Sequence, residues 1–184
     1  KDLPISEAHP VEPDSPYGCT KLCSEKLCLA YGRLYGIRVA ALRYFNVYGL
    51  NQRFDAYGNV IPIFAFQMLR REPLTIFGDG EQTRDFINVR DVVQANVKAA
   101  QSSTSALGAF NIASGTRVTI NRLVDLMASA SGLSPESRYS APRRGDVLHS
   151  VADISAAHAA FGFEPQVGLE DGLAEYMRWA AAQL

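Results

Sequence analysis

Apolar and polar positions along this 184-residue chain fall into blocks whose period changes, and each change marks an element boundary. Ser15-Pro16 opens the first block, a Ser suited to an N-cap followed by Pro at the first helical position, and Gly36 closes it as a C-terminal cap. A helix is predicted over about Pro16 to Tyr35. Ile37 to Arg43 is a short apolar, partly β-branched run that reads as a buried parallel strand, delivering Tyr44, Phe45 and Asn46 to its C-terminal end. Gly49 to Asn59 reads as a polar loop and Val60 to Arg71 as an amphipathic helix with Pro62 in its first turn. Leu74 to Phe77 predicts a strand, Gly78 to Gln82 a turn, Asp85 to Val89 a strand and Asp91 to Ala100 a helix. Phe110 to Ala113 predicts a buried strand ending at Gly115, and Thr119 caps a helix to about Ser131. Arg138 to Ala141 reads as a strand stopped by Pro142, Asp153 as the cap of a short helix to Phe161, and Leu169 to Ala182 as the terminal helix. Residues 1–14, with Pro4, Pro10 and Pro13, read as an extended surface segment.

Helices and strands joined by short loops argue for an α/β fold, and the length suits one domain, or one and a small second lobe. A net charge of -1 without charge blocks points away from nucleic acid and membrane surfaces, and no apolar run approaches the roughly 18 residues of a span. The cytoplasm is the expected compartment. Cys19, Cys23 and Cys28 all fall on the first predicted helix; they read as small packing residues in a reducing compartment, with no disulfide framework and no metal site.

The candidate chemistry begins at Tyr17-Gly18-Cys19-Thr20-Lys21. Four residues make about one helical turn, so Tyr17 and Lys21 share a face, and an ammonium one turn from a phenol favours its ionised form and acid/base use. In open α/β sheets ligands bind beyond the C-terminal ends of strands, which is where Tyr44, Phe45 and Asn46 are expected.

Tyr17-x-x-x-Lys21, then Arg43-Tyr44-Phe45-Asn46-Val47-Tyr48-Gly49, then Gly78-Asp79-Gly80-Glu81-Gln82-Thr83-Arg84-Asp85-Phe86, then Arg143-Arg144-Gly145-Asp146 follow one another along nearly the whole chain. In that order they resemble the extended short-chain dehydrogenase/reductase family, and within it the NAD-dependent nucleotide-sugar epimerases of the UDP-glucose/UDP-N-acetylglucosamine 4-epimerase type. The resemblance implies the C-terminal part of a Rossmann-like doubly wound parallel sheet plus a small mixed α/β substrate-binding lobe. It implies that residues 1–58 are a remnant of the dinucleotide-binding domain carrying the Tyr-x-x-x-Lys helix. Residues 59–184 would be mainly the nucleotide-sugar lobe, with 85–113 returning to the main sheet.

The resemblance also assigns roles. Tyr17 would be the catalytic acid/base and Lys21 would bind the nicotinamide ribose while assisting it, with Phe45 also touching NAD. Asn46 would meet the sugar-nucleotide phosphates, and Arg84 and Arg143 would bind the diphosphate, a task for which a planar guanidinium fork suits better than Lys. Asn59, Val60, Thr75, Ile76 and Phe77 match segments holding uracil and ribose, and Asp146 is placed to accept ribose hydroxyls. Arg144 matches a variable position. Ser150 stands where the family limits bulk at the sugar C2 substituent; its small size predicts acceptance of N-acetylated as well as plain UDP-hexoses. Oxidation at C4 would give a keto-sugar that turns over in the pocket and is reduced on its other face.

The chain begins at Lys1, where the resembling family is halfway along, and holds no G-x-G-x-x-G or G-x-x-G-x-x-G. The Gly-rich half, and the Ser/Thr that the family places beside its tyrosine, are therefore expected to be missing, and tight NAD binding to require them; the 184 residues alone are expected to be inactive. Three readings stand open: a 4-epimerase, a nucleotide-sugar 4,6-dehydratase, and a catalytically inactive truncated protein that binds sugar nucleotides or self-associates. A homodimer is expected, through a partner-facing surface of Leu22, Leu27, Leu29 and Leu34 or through faces exposed by truncation.

Overall fold

The computed structural model describes residues 2–54, 58–102, 108–143, 145 and 147–184. The first helix, α1 (Pro16–Tyr35), starts and stops where its caps dictate: the Ser15 hydroxyl accepts the Gly18 N–H at 3.1 Å, and Gly36 sits at φ 66°. Of the apolar residues expected to face a partner, Leu29 instead points inward and is buried, and Leu22 is half-buried; Leu27 and Leu34 are exposed. The three cysteines are exposed, which corrects their reading as packing residues: among the described residues α1 buries only Leu29 and Gly32, and most of its surface is not covered by them.

The strand expected from Ile37 begins later, because its ladder starts at Ala40 opposite Gly108. β1 (Ala40–Tyr44) runs parallel to β6 (Gly108–Ile112), is half-buried for most of its length, and leaves Ile37 exposed. After Phe45 the same extended run continues as β2 (Asn46–Tyr48) but changes neighbour, pairing in parallel with β5 (Phe86–Asn88). The changeover is recorded in two consecutive amides: Phe45 N–H donates to the Ile112 carbonyl at 3.1 Å and Asn46 N–H to the Asp85 carbonyl at 3.1 Å. Phe45 and Val47, on either side of this changeover, both line a cleft.

Two further pairs complete the strands of the described residues: β3 (Leu74–Phe77) parallel to β8 (Ser137–Ser140), and β4 (Thr83–Arg84) antiparallel to β7 (Val118–Thr119). α2 (Val60–Leu69) is buried on most of its circumference rather than along one stripe, and it ends at Leu69, two residues short of the expected Arg71. It forms one core with Leu74 and Ile76 of β3, Leu123 and Met127 of α4 (Ile120–Ser131), and Leu173 and Met177 of α6 (Leu169–Ala181). A second core joins Ile87, Phe110 and Ile112 to Val92 of α3 (Val89–Gln101) and Ala157 of α5 (Ser155–Phe161).

Thr119 caps α4 as expected, accepting the Arg122 N–H at 3.0 Å. α5 differs: Ile154 occupies its N-cap position, and Asp153 acts one residue earlier by accepting the Ser155 N–H at 2.9 Å. The N-terminal segment is more than a surface strap. Ile5 forms a parallel bridge with Ala152, its carbonyl accepts the Asn111 side-chain amide at 2.9 Å, and a Glu7 carboxylate oxygen accepts the Asn111 N–H at 2.6 Å. Buried Asn111 needs these partners.

Candidate active site

The β1–β2 changeover lies against a cleft of about 1710 Å³ between α1, β1, the N-terminal strap and residues 145 and 147–149. Tyr17, Lys21, Phe45 and Asn59 all line it. Tyr17 is 71% exposed, so its phenol is open to the cleft, and the Lys21 ammonium lies 5.3 Å from the centroid of its ring. Helical spacing produces that contact, as one turn stacks residue 21 over residue 17. The ammonium sits over the ring face, where it meets the quadrupole, and within reach of any negative charge that develops on the phenol.

Phe45 is half-buried at the changeover. Next to it, Asn46 spends its side-chain amide on the Asp85 carbonyl at 3.1 Å, which fixes the orientation of the group. Asn59 donates to the Val47 carbonyl at 3.2 Å and so anchors the start of α2 beside the cleft, where half-buried Val60 packs on the core.

A second group forms beyond β3. The Arg143 guanidinium stacks on the Phe77 ring at 4.1 Å, Thr75 is exposed, and Ile76 puts its side chain into the core, leaving only its main chain open to a ligand. A third group lies on β4. Arg84 donates to the carbonyls of Thr83 and Val147, and the Ser150 N–H donates to the Thr83 carbonyl at 3.2 Å. Because 147–149 also line the cleft, this bonding ties the third group to the first. Asp146 and Arg144 lie outside the described residues.

Several residues that hold the site together carry no periodic signal. Asp85 is fully buried and its carboxylate accepts four bonds: Ser114 N–H at 2.8 Å, Ser114 hydroxyl at 2.7 Å, and the N–H groups of Gly115 and Ala152 at 3.1 Å each. Burial pushes its pKa up and these bonds pull it back. It thereby fastens the end of β6 and the 150–153 stretch to the Asn46 changeover. Asn121, one residue into α4, donates to the Asp79 carbonyl at 3.0 Å and accepts from the Tyr139 hydroxyl at 3.1 Å. It packs so closely on Gly80 that a Cβ there would lie 2.0 Å from its oxygen; this is what the glycine in the Gly78 to Gln82 turn is for. Asp85 sits inside a quoted motif, and its neighbours are the signal that finds it; Asn121 has none.

At the root of the cleft, the Arg43 guanidinium grips both carboxylate oxygens of Glu25, at 2.7 and 2.8 Å, and holds the Glu25 carboxyl below its ordinary range against the opposing effect of burial. Among the described residues no group of three or more His, Cys, Asp or Glu is placed to hold a metal, and no helix is long and apolar enough to cross a membrane.

The model of the NAD dependent epimerase/dehydratase family matches residues 1–113. A putative UDP-glucose 4-epimerase of Methanocaldococcus jannaschii is 40% identical over 177 residues, covering 96% of this chain and 57% of the relative. The solved UDP-N-acetylglucosamine 4-epimerase of Methanobrevibacter ruminantium, in complex with UDP-N-acetylmuramic acid, superposes with a TM-score of 0.94 at 36% identity, over 100% of this chain and 59% of the other. The UDP-glucuronic acid 4-epimerase of Bacillus cereus, solved with UDP-glucuronic acid and NAD, superposes with a TM-score of 0.92 at 34% identity, over 100% of this chain and 58% of the other. The chain thus spans little more than half the length of the curated relatives it matches. With its four ordered motifs, its parallel strand pairs and a family match over most of its length, the chain belongs to the NAD-dependent epimerase/dehydratase family.

Proposed function

We propose that the chain carries the acid/base helix and the substrate lobe of an NAD-dependent UDP-hexose 4-epimerase working through a 4-keto intermediate. The support is a shared cleft: Tyr17, Lys21 and Phe45 open onto the same space as 147–149, whose main chain is bonded to Arg84 and Thr83. In this assignment residues 1–58, with the returning 85–113, belong to the dinucleotide side, and the remainder of 59–184 holds the sugar nucleotide.

Tyr17, Lys21 and Phe45 fit a nicotinamide ribose, since they bring a phenol, an ammonium and an aromatic side chain to one cleft. NAD, when bound there, would take up the C4 hydride and return it. Tyr17 removes the proton of the C4 hydroxyl, and Lys21 stabilises the charge that grows on the phenol oxygen. The keto-sugar turns over in the pocket, and Tyr17 returns the proton to the C4 oxygen. Arg143, held flat on Phe77, and Arg84, oriented by two carbonyls, place positive charge for the diphosphate. Asn46, Asn59, Val60, Thr75, Ile76, Phe77 and Asp146 complete the assignment around the phosphates, ribose and uracil. Ser150, small and half-buried, leaves room at C2 for an N-acetyl group.

Product analysis of the NAD-loaded enzyme given UDP-glucose and UDP-N-acetylglucosamine tests this. The expected products are the 4-epimers of both; a 4-keto-6-deoxy sugar would mean a dehydratase. Ser150→Tyr is expected to abolish turnover of UDP-N-acetylglucosamine and spare UDP-glucose, and equal survival of both activities would remove Ser150 from the specificity argument.

A further inference from the structure

Glu25 stands one helical turn beyond Lys21 on α1, and both line the cleft. Side chains four apart on a helix are neighbours, so the Glu25 carboxylate is within range to pair with the Lys21 ammonium. It does not do so. Arg43 of β1 takes both oxygens, Nε donating at 2.7 Å and Nη2 at 2.8 Å, while Nη1 donates to the Glu7 carbonyl at 3.2 Å; the exposed Lys26 ammonium, next along α1, lies 3.8 Å from the same carboxylate and is the competing partner once Arg43 is gone. The guanidinium is held by three hydrogen bonds to two partners, and the carboxylate is 11% exposed against 25% for Arg43. Among the described residues Lys21 has no ion pair; its contact is the Tyr17 ring.

We propose that Arg43 is a positioning residue for the acid/base helix, sequestering the Glu25 carboxylate so that the Lys21 ammonium stays with Tyr17. This rests on the assignment of Tyr17 and Lys21 as the acid/base pair. A lysine at position 43 would be a point charge and would grip one oxygen where the fork grips two. The other ionisable groups lining the cleft are Asp2, His9, Glu12 and Asp14 on the strap, Cys28 on α1, Tyr44 at the end of β1, and His149 on the 147–149 segment; no carboxylate of α1 other than Glu25 is among them.

The test needs neither cofactor nor turnover, so its failure is separable from failure of the epimerase assignment. Lys21 is acylated with a trace of acetic anhydride and its rate is read by peptide mass spectrometry against Lys98 on α3. In Arg43→Met the released carboxylate is expected to pair with Lys21 and slow its labelling about twofold relative to Lys98. Arg43→Met/Glu25→Gln is expected to restore the wild-type ratio although the brace between helix and strand is still gone. An unchanged ratio in the single variant, slowing confined to Lys26, or a double variant as slow as the single one would overturn the proposal. Should Arg43→Met not fold, the wild-type protein decides: the Lys21 to Lys98 ratio is expected to be flat with added salt, and a rise would show that Lys21 is already paired with Glu25.

Discussion

Gly172 of α6 packs directly on the Tyr48 hydroxyl, so that a Cβ at position 172 would lie 2.1 Å from that oxygen and 2.9 Å from the Asn88 side-chain nitrogen. Tyr48 ends β2, whose Val47 lines the cleft, and its phenol pKa is pushed up to about 12, chiefly by burial. The bare Cα of residue 172 is what lets α6 approach β2 and β5 closely.

Gly172→Ala therefore overpacks a site that cannot relax, since both neighbours are buried. A loss of about 2 kcal/mol is expected, within the usual range for overpacking. In a protein of this size that lowers Tm by about 4–8 °C, which differential scanning calorimetry reads directly. The helix propensity of Ala acts the other way, so an unchanged or higher Tm would show that the contact relaxes.

Much of this was legible in the chain itself, and the misses share a cause. Helix boundaries with explicit caps, such as Ser15 and Gly36 for α1, are local chemistry, and they fall where the sequence places them. The Tyr17 and Lys21 contact follows from helical spacing alone. The start of β1 was misplaced because register with β6 is a tertiary property, as was the inward turn of Leu29. Asp85 and Asn121 join segments tens of residues apart, and no periodicity announces such a bond. The exposure of Cys19, Cys23 and Cys28 was missed because small apolar residues were assumed to find a neighbour.

The Glu25 and Arg43 pair makes stability depend on pH in a stated direction. The folded-state pKa of Glu25 lies below its ordinary value of 4.5, so the folded state prefers the ionised form. Its contribution is complete above that value and is lost as pH falls through the folded pKa. The pair is partly open to solvent, so about 1 kcal/mol at pH 7 is expected for a screened, bidentate, charge-assisted contact. Urea unfolding of wild type and Glu25→Gln at pH 7 and pH 3 is expected to show a smaller difference at the lower pH. An equal difference at both would mean that the carboxylate charge is not what stabilises.

Arg143 is exposed and stacked on Phe77, so its charge is available while its position is fixed. Arg143→Gln is expected to weaken UDP binding about tenfold by calorimetry, the loss of one charge-assisted contact. In the active enzyme it should raise KM with kcat nearly unchanged, as befits binding shared by ground and transition states. A fall in kcat at constant KM would move Arg143 into the chemical step.

The most direct test of the account is the rate of interconversion of UDP-glucose and UDP-galactose at saturating substrate by the complete enzyme, carrying the dinucleotide-binding half and loaded with NAD, and by its Tyr17→Phe variant. Residue 17 is 71% exposed, so the substitution should leave folding intact, which circular dichroism checks. Loss of an acid/base group predicts a fall of about 10²–10⁴-fold in kcat. A variant within about twofold of wild type would contradict the assignment of Tyr17 and, with it, the mechanism built on α1.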